Sequence, residues 1–184
     1  RIGFITDIHL GVSMSEEFIH KAFDSLIKEK IDLLLLGGDY VWIPESFIAR
    51  SFERPRSPKF HALSPHIHNV SVFSELQEII NSFNVPDGML AVLGNHDRWS
   101  DPFAARESFK NSKCKLLENE IHRVSRKDSE IIIVGVKDYL TDFPKIPDEL
   151  DKDSKSIKIL LSHNPDFVTY NKKGLCDLAI CGHT

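Results

Sequence analysis

The chain alternates between short apolar runs and amphipathic stretches. "RIGFITD" (1–7) sets Ile2, Phe4 and Thr6 against Gly3 and Ile5 and stops at Asp7, which predicts a strand. From Glu16 to Lys30, the residues Phe18, Ala22, Phe23, Leu26 and Ile27 recur at helical spacing. "IDLLLLGGD" is a continuous apolar run that ends at Gly37-Gly38-Asp39, a pattern suited to a strand buried on both faces. Phe73 to Phe83 reads as a second helix, stopped near Asn84 and Pro86, and "GMLAVLGNHD" reads as a third strand. Ser100-Asp101-Pro102 is a helix start with proline in the first turn, and that helix is expected to run to about Lys110. "CKLLEN", "EIHRVS" and "EIIIVGV" are three short strands, the latter two a hairpin around Lys127-Asp128. "SIKILLSH" is another buried strand, Pro165 to Lys172 a short helix closed by Gly174, and "CDLAICGHT" a last strand. Strands alternating with helices predict an α/β layered fold. No internal repeat or low-complexity tract interrupts it; the least regular stretch is 44–69, with four prolines.

Composition bounds this picture without redirecting it. A chain of 184 residues suits one domain, and 41% hydrophobic with 27% charged residues is ordinary for a globular protein. The formal net charge of −4 gives no global attraction to nucleic acid or anionic membrane. Cys114, Cys176 and Cys181 form no C-x-x-C pair and are odd in number, which favours a reducing compartment and a cytoplasmic location. No apolar run approaches membrane-spanning length and no signal peptide is visible. The sequence opens at Arg1 rather than Met and stops at "AICGHT", so a segment upstream, an anchor included, and a segment downstream are both expected. Peripheral contact with an inner membrane stays open on this reading.

The chemistry lies where the strands end. Five predicted strands finish in the same kind of residue: Asp7-Ile8-His9, Gly38-Asp39, Asn95-His96-Asp97, Ser162-His163 and Gly182-His183. In open α/β sheets, ligands sit outside the carboxyl ends of the strands, so these groups are expected to converge. Carboxylates and imidazoles packed together are costly unless a cation offsets the desolvation and repulsion. Asp, His and Asn are donors for Mn²⁺, Fe and Zn²⁺, and the set contains no thiolate. Two such ions about 3.5–4 Å apart clamp the attacking and leaving oxygens of a phosphoryl displacement. Alone, a D-x-H after a strand is a weak signal, and G-N-H-D fits a plain turn. The five together, each at a strand exit, favour a metal centre.

The series "DIHLG", "GGDYV", "GNHD", "LSHNPD" and "CGHT" resembles the calcineurin-like metallophosphoesterase superfamily over nearly the whole chain. The resemblance implies one metallophosphoesterase domain over 1–184, a β-sandwich flanked by helices in α-β-β-α layers, incomplete at its C-terminus. It implies that Asp7 and His9 hold a first metal, Asp39 bridges both, and Asn95, His163 and His183 hold a second. His96 would stand just outside the metals and touch the phosphate. The family's last motif reads Gly-His-x-His, with its second His on the first metal, and the sequence ends at Thr184, one residue short. A fragment lacking one ligand of the first site is therefore expected. Two divalent ions are implied, with Mn²⁺ favoured and Fe, Zn²⁺ or Mg²⁺ as alternatives.

A metal-activated water would attack phosphorus, and His96 would protonate the leaving oxygen. Asp97 and Asn164 read as groups that orient their neighbours. Ser162 reads as a small residue beside a ligand, and Cys181 as a buried small side chain. Phosphoprotein phosphatases of the superfamily carry a Gly-Asp-x-x-Asp-Arg-Gly pattern and Gly-Asn-His-Glu, which "GGDYVWIPE" and "GNHD" do not match. "GGDYV", "LLSHNPDF" and "DLAICGHT" are similar to the bacterial phosphodiesterase branch of YkuE and YaeI type. That branch includes UDP-2,3-diacylglucosamine pyrophosphohydrolases of the LpxG type, so a lipid-linked nucleotide of lipid A synthesis is the favoured substrate. Soluble phosphoesters and a non-catalytic scaffold are the alternatives; nucleic acid is not an expected partner.

One segment remains. Arg50 to His68 holds Arg50, Arg54, Arg56 and Lys59 against only Glu53, together with Phe52, Phe60, Leu63 and Ile67. Its plain reading is a solvated loop, with His66-Ile67-His68 a stray pair. Its functional reading is a basic insertion over 44–69 that caps the site and grips a second phosphate through those arginines and Lys59.

Overall fold

The computed structural model describes residues 1–11, 14–43, 65–127, 129–152, 155–170 and 175–183. Two four-stranded sheets face each other. The first is fully parallel, in the order β1 (Ile2–Ile5), β3 (Leu33–Leu36), β5 (Met89–Ala91), β6 (Cys114–Leu116). The second runs β10 (Leu178–Cys181), β9 (Ile157–Ser162), β8 (Ser129–Gly135), β7 (Glu120–Arg126). It is parallel except for the β7–β8 hairpin. A two-stranded parallel ribbon joins β2 (Leu10–Gly11) to β4 (Val41–Trp42).

The run of four leucines in β3 shows why the layers form. Successive strand side chains point to opposite faces. Leu34 and Leu36 therefore enter the helical layer, with Ile19 and Phe23 of α1 (Glu16–Lys28) and Phe73, Leu76 and Ile80 of α2 (Pro65–Ser82). Ala105 and Phe109 of α4 (Pro102–Lys110) join the same cluster. Leu33 and Leu35 point the other way and meet Ile133, Ile159 and Leu161 of the second sheet. On the far face of that sheet, Ile132, Val134 and Leu160 are covered by Leu150 of a 3-10 turn (Asp148–Lys152) and Phe167 of α5 (Asp166–Tyr170). The order is thus helix, sheet, sheet, helix, as the α/β reading anticipates.

Helix starts follow local chemistry. Ser15 accepts the Phe18 N–H at the head of α1, and Asp101 accepts those of Phe103 and Ala104 beside Pro102 in α4. Two features differ from expectation. α2 begins at Pro65 rather than Phe73, inside the stretch taken as irregular. β5 stops at Ala91, and Asn95 opens a short helix, α3 (Asn95–Ser100), where a strand end was expected. β6, the strand of "CKLLEN", pairs with β5 in the first sheet, and the expected hairpin forms in the second. Among the described residues no helix is long and apolar enough to cross a membrane.

Candidate metal centre

The parallel sheets deliver their carboxyl ends to one place. Beyond β1 and β3 the two chains keep hydrogen-bonding: Asp7 N–H donates to Gly38 O, His9 N–H to Asp39 O and Leu10 N–H to Tyr40 O, at 3.0, 3.0 and 2.7 Å. In this continuation Asp7, His9 and Asp39 take φ of 55°, 49° and 55°, and His183, after β10, takes 56°. Left-handed backbone is uncommon for residues with a Cβ and costs on the order of 1–3 kcal/mol each. Four of the seven such non-glycine residues among those described lie here, so the strain is concentrated where the chemistry was expected.

The side chains then meet. Asp7, His9 and Asp39 can offer ligand atoms all within 4.8 Å of one another, and so can Asp39, His163 and His183. Asp39 belongs to both groups. Its Oδ1 accepts the His96 N–H at 2.8 Å, and its Oδ2 faces His163 Nε2 at 3.2 Å and His9 Nε2 at 4.0 Å. His163 is fully buried, and its Nδ1 donates to Gly37 O at 2.8 Å. That bond leaves Nε2 aimed at two oxygens, Asp39 Oδ2 and Asn95 Oδ1, each 3.2 Å away. Acceptor oxygens converging on a ring nitrogen require positive charge, either a proton on the ring or a metal ion among the three. His9 Nδ1 is buried without a hydrogen-bond partner. The donor set and this convergence fit a divalent cation.

The electrostatics agree. Burial disfavours charge on His163, but the hydrogen bond and negative charge of Asp39 outweigh it and raise the imidazole to about 9. Burial also works against ionised Asp39, yet the bond and charge of His163 and the His96 N–H hold its carboxyl below the usual range. His96 is lowered, first by burial and then by the neighbouring His9, His163 and His183, with Asp39 pulling the other way.

Asp97 is fully buried and acts as a clamp. Its two oxygens accept the N–H groups of Gly94, Asp39, Tyr40 and Val41 at 2.9, 2.9, 2.8 and 3.1 Å. It thereby ties the turn that presents Asn95 and His96 to the turn that presents Asp39. Burial and the charge of Asp39 push its carboxyl up to about 7, against the pull of those donors. A Cβ on Gly94 would collide with Asp39 Oδ1, and one on Gly182 with Thr6 Oγ1, so both turns need the bare backbone. Asn164 makes its recorded side-chain bond within its own turn, accepting the Asp166 N–H at 2.8 Å at the head of α5. Ser162 donates to Asn164 O at 2.9 Å, away from any nucleophilic role. Cys181 is half-buried rather than buried as expected, and that partial burial raises its thiol.

Sequence reasoning passed over four contributors. Thr6 Oγ1 donates to Asp7 Oδ2 at 2.7 Å, beside the His183 N–H at 3.1 Å on the same oxygen. Tyr40 is buried behind Asp39, its hydroxyl against Leu36 O and Val92 O at 2.9 and 2.6 Å. Trp42 and Trp99 flank His96. Only Tyr40 had a signal, its place within "GGDYV". Arg50, Arg54, Arg56 and Lys59 lie outside the described residues, as do the side chains of His66 and His68 on the first turn of α2.

The model of the calcineurin-like phosphoesterase family matches residues 1–184. Phosphodiesterase YaeI of Escherichia coli (strain K12) is 28% identical over 187 residues, covering 100% of this chain and 60% of that protein. An uncharacterized metallophosphoesterase, YkoQ, of Bacillus subtilis (strain 168) is 25% identical over 185 residues, covering 97% of this chain and 58% of its own length. The chain thus spans about three-fifths of the curated relatives it matches. The structure of Haemophilus influenzae NAD nucleotidase (NadN) superposes with a TM-score of 0.63 at 15% identity, over 100% of this chain and 38% of that one, a likeness of fold.

Proposed function

The chain belongs to the calcineurin-like phosphoesterase family, and from that premise we propose that it contributes the dinuclear centre of a metal-dependent hydrolase of phosphodiester or pyrophosphate bonds. The observation that carries this reading is Asp39, which belongs to both candidate metal groups. Asp7 and His9 would hold one cation, Asn95, His163 and His183 the other, and Asp39 both. Two divalent ions, Mn²⁺ favoured, supply a water of lowered pKa and positive charge against the phosphoryl oxygens when bound.

The chain's own residues do the rest. Asp97 ties the turn that carries Asn95 and His96 to the turn that carries Asp39. His96 is held by its backbone to Asp39 while its ring stays partly exposed. Its lowered pKa makes the protonated ring a stronger acid than free imidazole. As the oxygen of a water that has given one proton to solvent bonds to phosphorus and the ester bond breaks, that ring would give its proton to the leaving oxygen.

The finer reading is that the substrate is a UDP-linked diacylglucosamine. It is supported by the resemblance to the YaeI-type branch and by the basic segment with Arg50, Arg54, Arg56 and Lys59, a segment suited to a second phosphate and an acyl chain. Activity should require added Mn²⁺, and exhaustive chelation should abolish it. Full turnover after chelation and dialysis would refute the metal reading. Mass spectrometry of products from nucleotide diphosphate lipids and from simple diesters identifies the substrate class. Arg54→Ala with Arg56→Ala should raise KM for the lipid nucleotide far more than for a small aryl diester. Equal effects would remove the segment from substrate selection.

A further inference from the structure

Trp42 and Trp99 are the two tryptophans of the chain, and both stand at the same site. They arrive separately, Trp42 from the end of β4 just after Asp39, and Trp99 from α3 just after His96. Their ring centroids lie 5.8 and 5.2 Å from that of His96, with planes inclined at 73° and 81°. His9 closes the group, 5.0 Å from His96 and 5.9 Å from Trp42. Trp42 is 36% exposed and Trp99 61%, so neither ring is consumed by the core. Two large apolar faces left in water beside a site call for an occupant.

The neighbourhood narrows what that occupant is. Trp99 is bordered by Arg98, which pairs with Asp142 at 2.8 Å, and by Ser100 and Asp101. Trp42 pairs across the ribbon with Gly11. Among the described residues, the two indoles are the flat apolar faces set against His96, and they reach it from separate elements. Flat, polarisable rings bind other flat rings well, because stacking needs only a face and no directed hydrogen bond. We propose that Trp42 and Trp99 form a leaving-group subsite for a planar aromatic ring, a nucleobase or an aryl ester, stacked on the indoles next to His96. This rests on the preceding reading only in placing the leaving oxygen at His96.

Because no other tryptophan contributes, intrinsic indole emission reports on this subsite alone. Titrating the Mn²⁺-loaded protein with adenosine 5′-monophosphate should quench that emission, and ribose 5-phosphate should not. Trp99→Ala should weaken the nucleotide about tenfold, read from Trp42, within the range found for base stacking on an aromatic side chain. In kinetics, Trp42→Ala and Trp99→Ala should each lower about tenfold the ratio of kcat/KM for bis(p-nitrophenyl) phosphate over glycerophosphoglycerol. Phe103→Ala, an exposed aromatic on α4, should leave the ratio where it is. Equal quenching by ribose 5-phosphate, or an unmoved ratio with both diesters still hydrolysed, overturns the subsite and spares the phosphoesterase reading. Base-dependent quenching without hydrolysis of either diester upholds the subsite and overturns that reading. An emission change with a single-chain lipid phosphate but not with the nucleotide assigns the rings to an acyl chain and overturns the proposal.

Discussion

Asp39 divides its work between its oxygens, Oδ1 holding the His96 N–H and Oδ2 facing both His9 and His163. Asp39→Asn keeps the shape but removes the charge and can turn an NH₂ toward His163. It is expected to lower turnover and metal content at both sites more than the same change at Asp7, which lies in one group only. Elemental analysis beside kcat decides it; full metal and full turnover would remove Asp39 from the bridging role. His96 predicts the opposite separation. His96→Ala should lower kcat by roughly two to four decades, the range of a general acid, with metal content nearly kept. The loss should be smaller with a p-nitrophenyl leaving group, which departs without a proton. Loss of bound metal in this variant would make His96 a ligand.

Between elements, Asp97 is the joint on which the most geometry depends. Asp97→Ala leaves four buried N–H groups without an acceptor. Unsatisfied buried donors cost about 1–3 kcal/mol each before relaxation, so a stability loss on the order of 3 kcal/mol is expected in a denaturant titration. Metal affinity should fall about 10–100-fold, as for other groups that orient ligands. An unchanged midpoint would mean that water replaces the carboxylate without cost. The same contrast between elements explains what the sequence could tell. β3 was legible because four leucines in a row satisfy two faces at once, and the candidate ligands stood out because few residue types bind a cation. α3 was not, because six polar and aromatic residues carry no apolar period and its start is set by Asp97 reaching back to Gly94. β2 and β4 are two residues long and exist only because the loops after β1 and β3 run side by side. Thr6, Trp42 and Trp99 acquire their place from that tertiary approach, which no local pattern encodes.

Across the whole molecule, the two sheets are joined at their carboxyl end by polar contacts, with His163 of the second sheet against Asp39 and Asn95 of the first layer. Stability should therefore respond to pH through this joint. His163 is raised from an ordinary 6.5 to about 9, so its contribution is complete below 6.5 and is lost as pH rises through 9. Asp39 is lowered from 3.8, so its share is present above that value and is lost as pH falls through the lowered one. In chelator, Tm is expected to decline between pH 6.5 and 9. On the proposed ligand set, a divalent ion would compete with the proton for His163 Nε2, and proton release would make its binding tighter as pH rises. Mn²⁺ should accordingly raise Tm most at the alkaline end and flatten the profile, while His163→Asn should lack the alkaline decline in chelator. A flat profile for the metal-free protein, or a Mn²⁺ effect that shrinks as pH rises, would show that the sheets are not coupled through this pair.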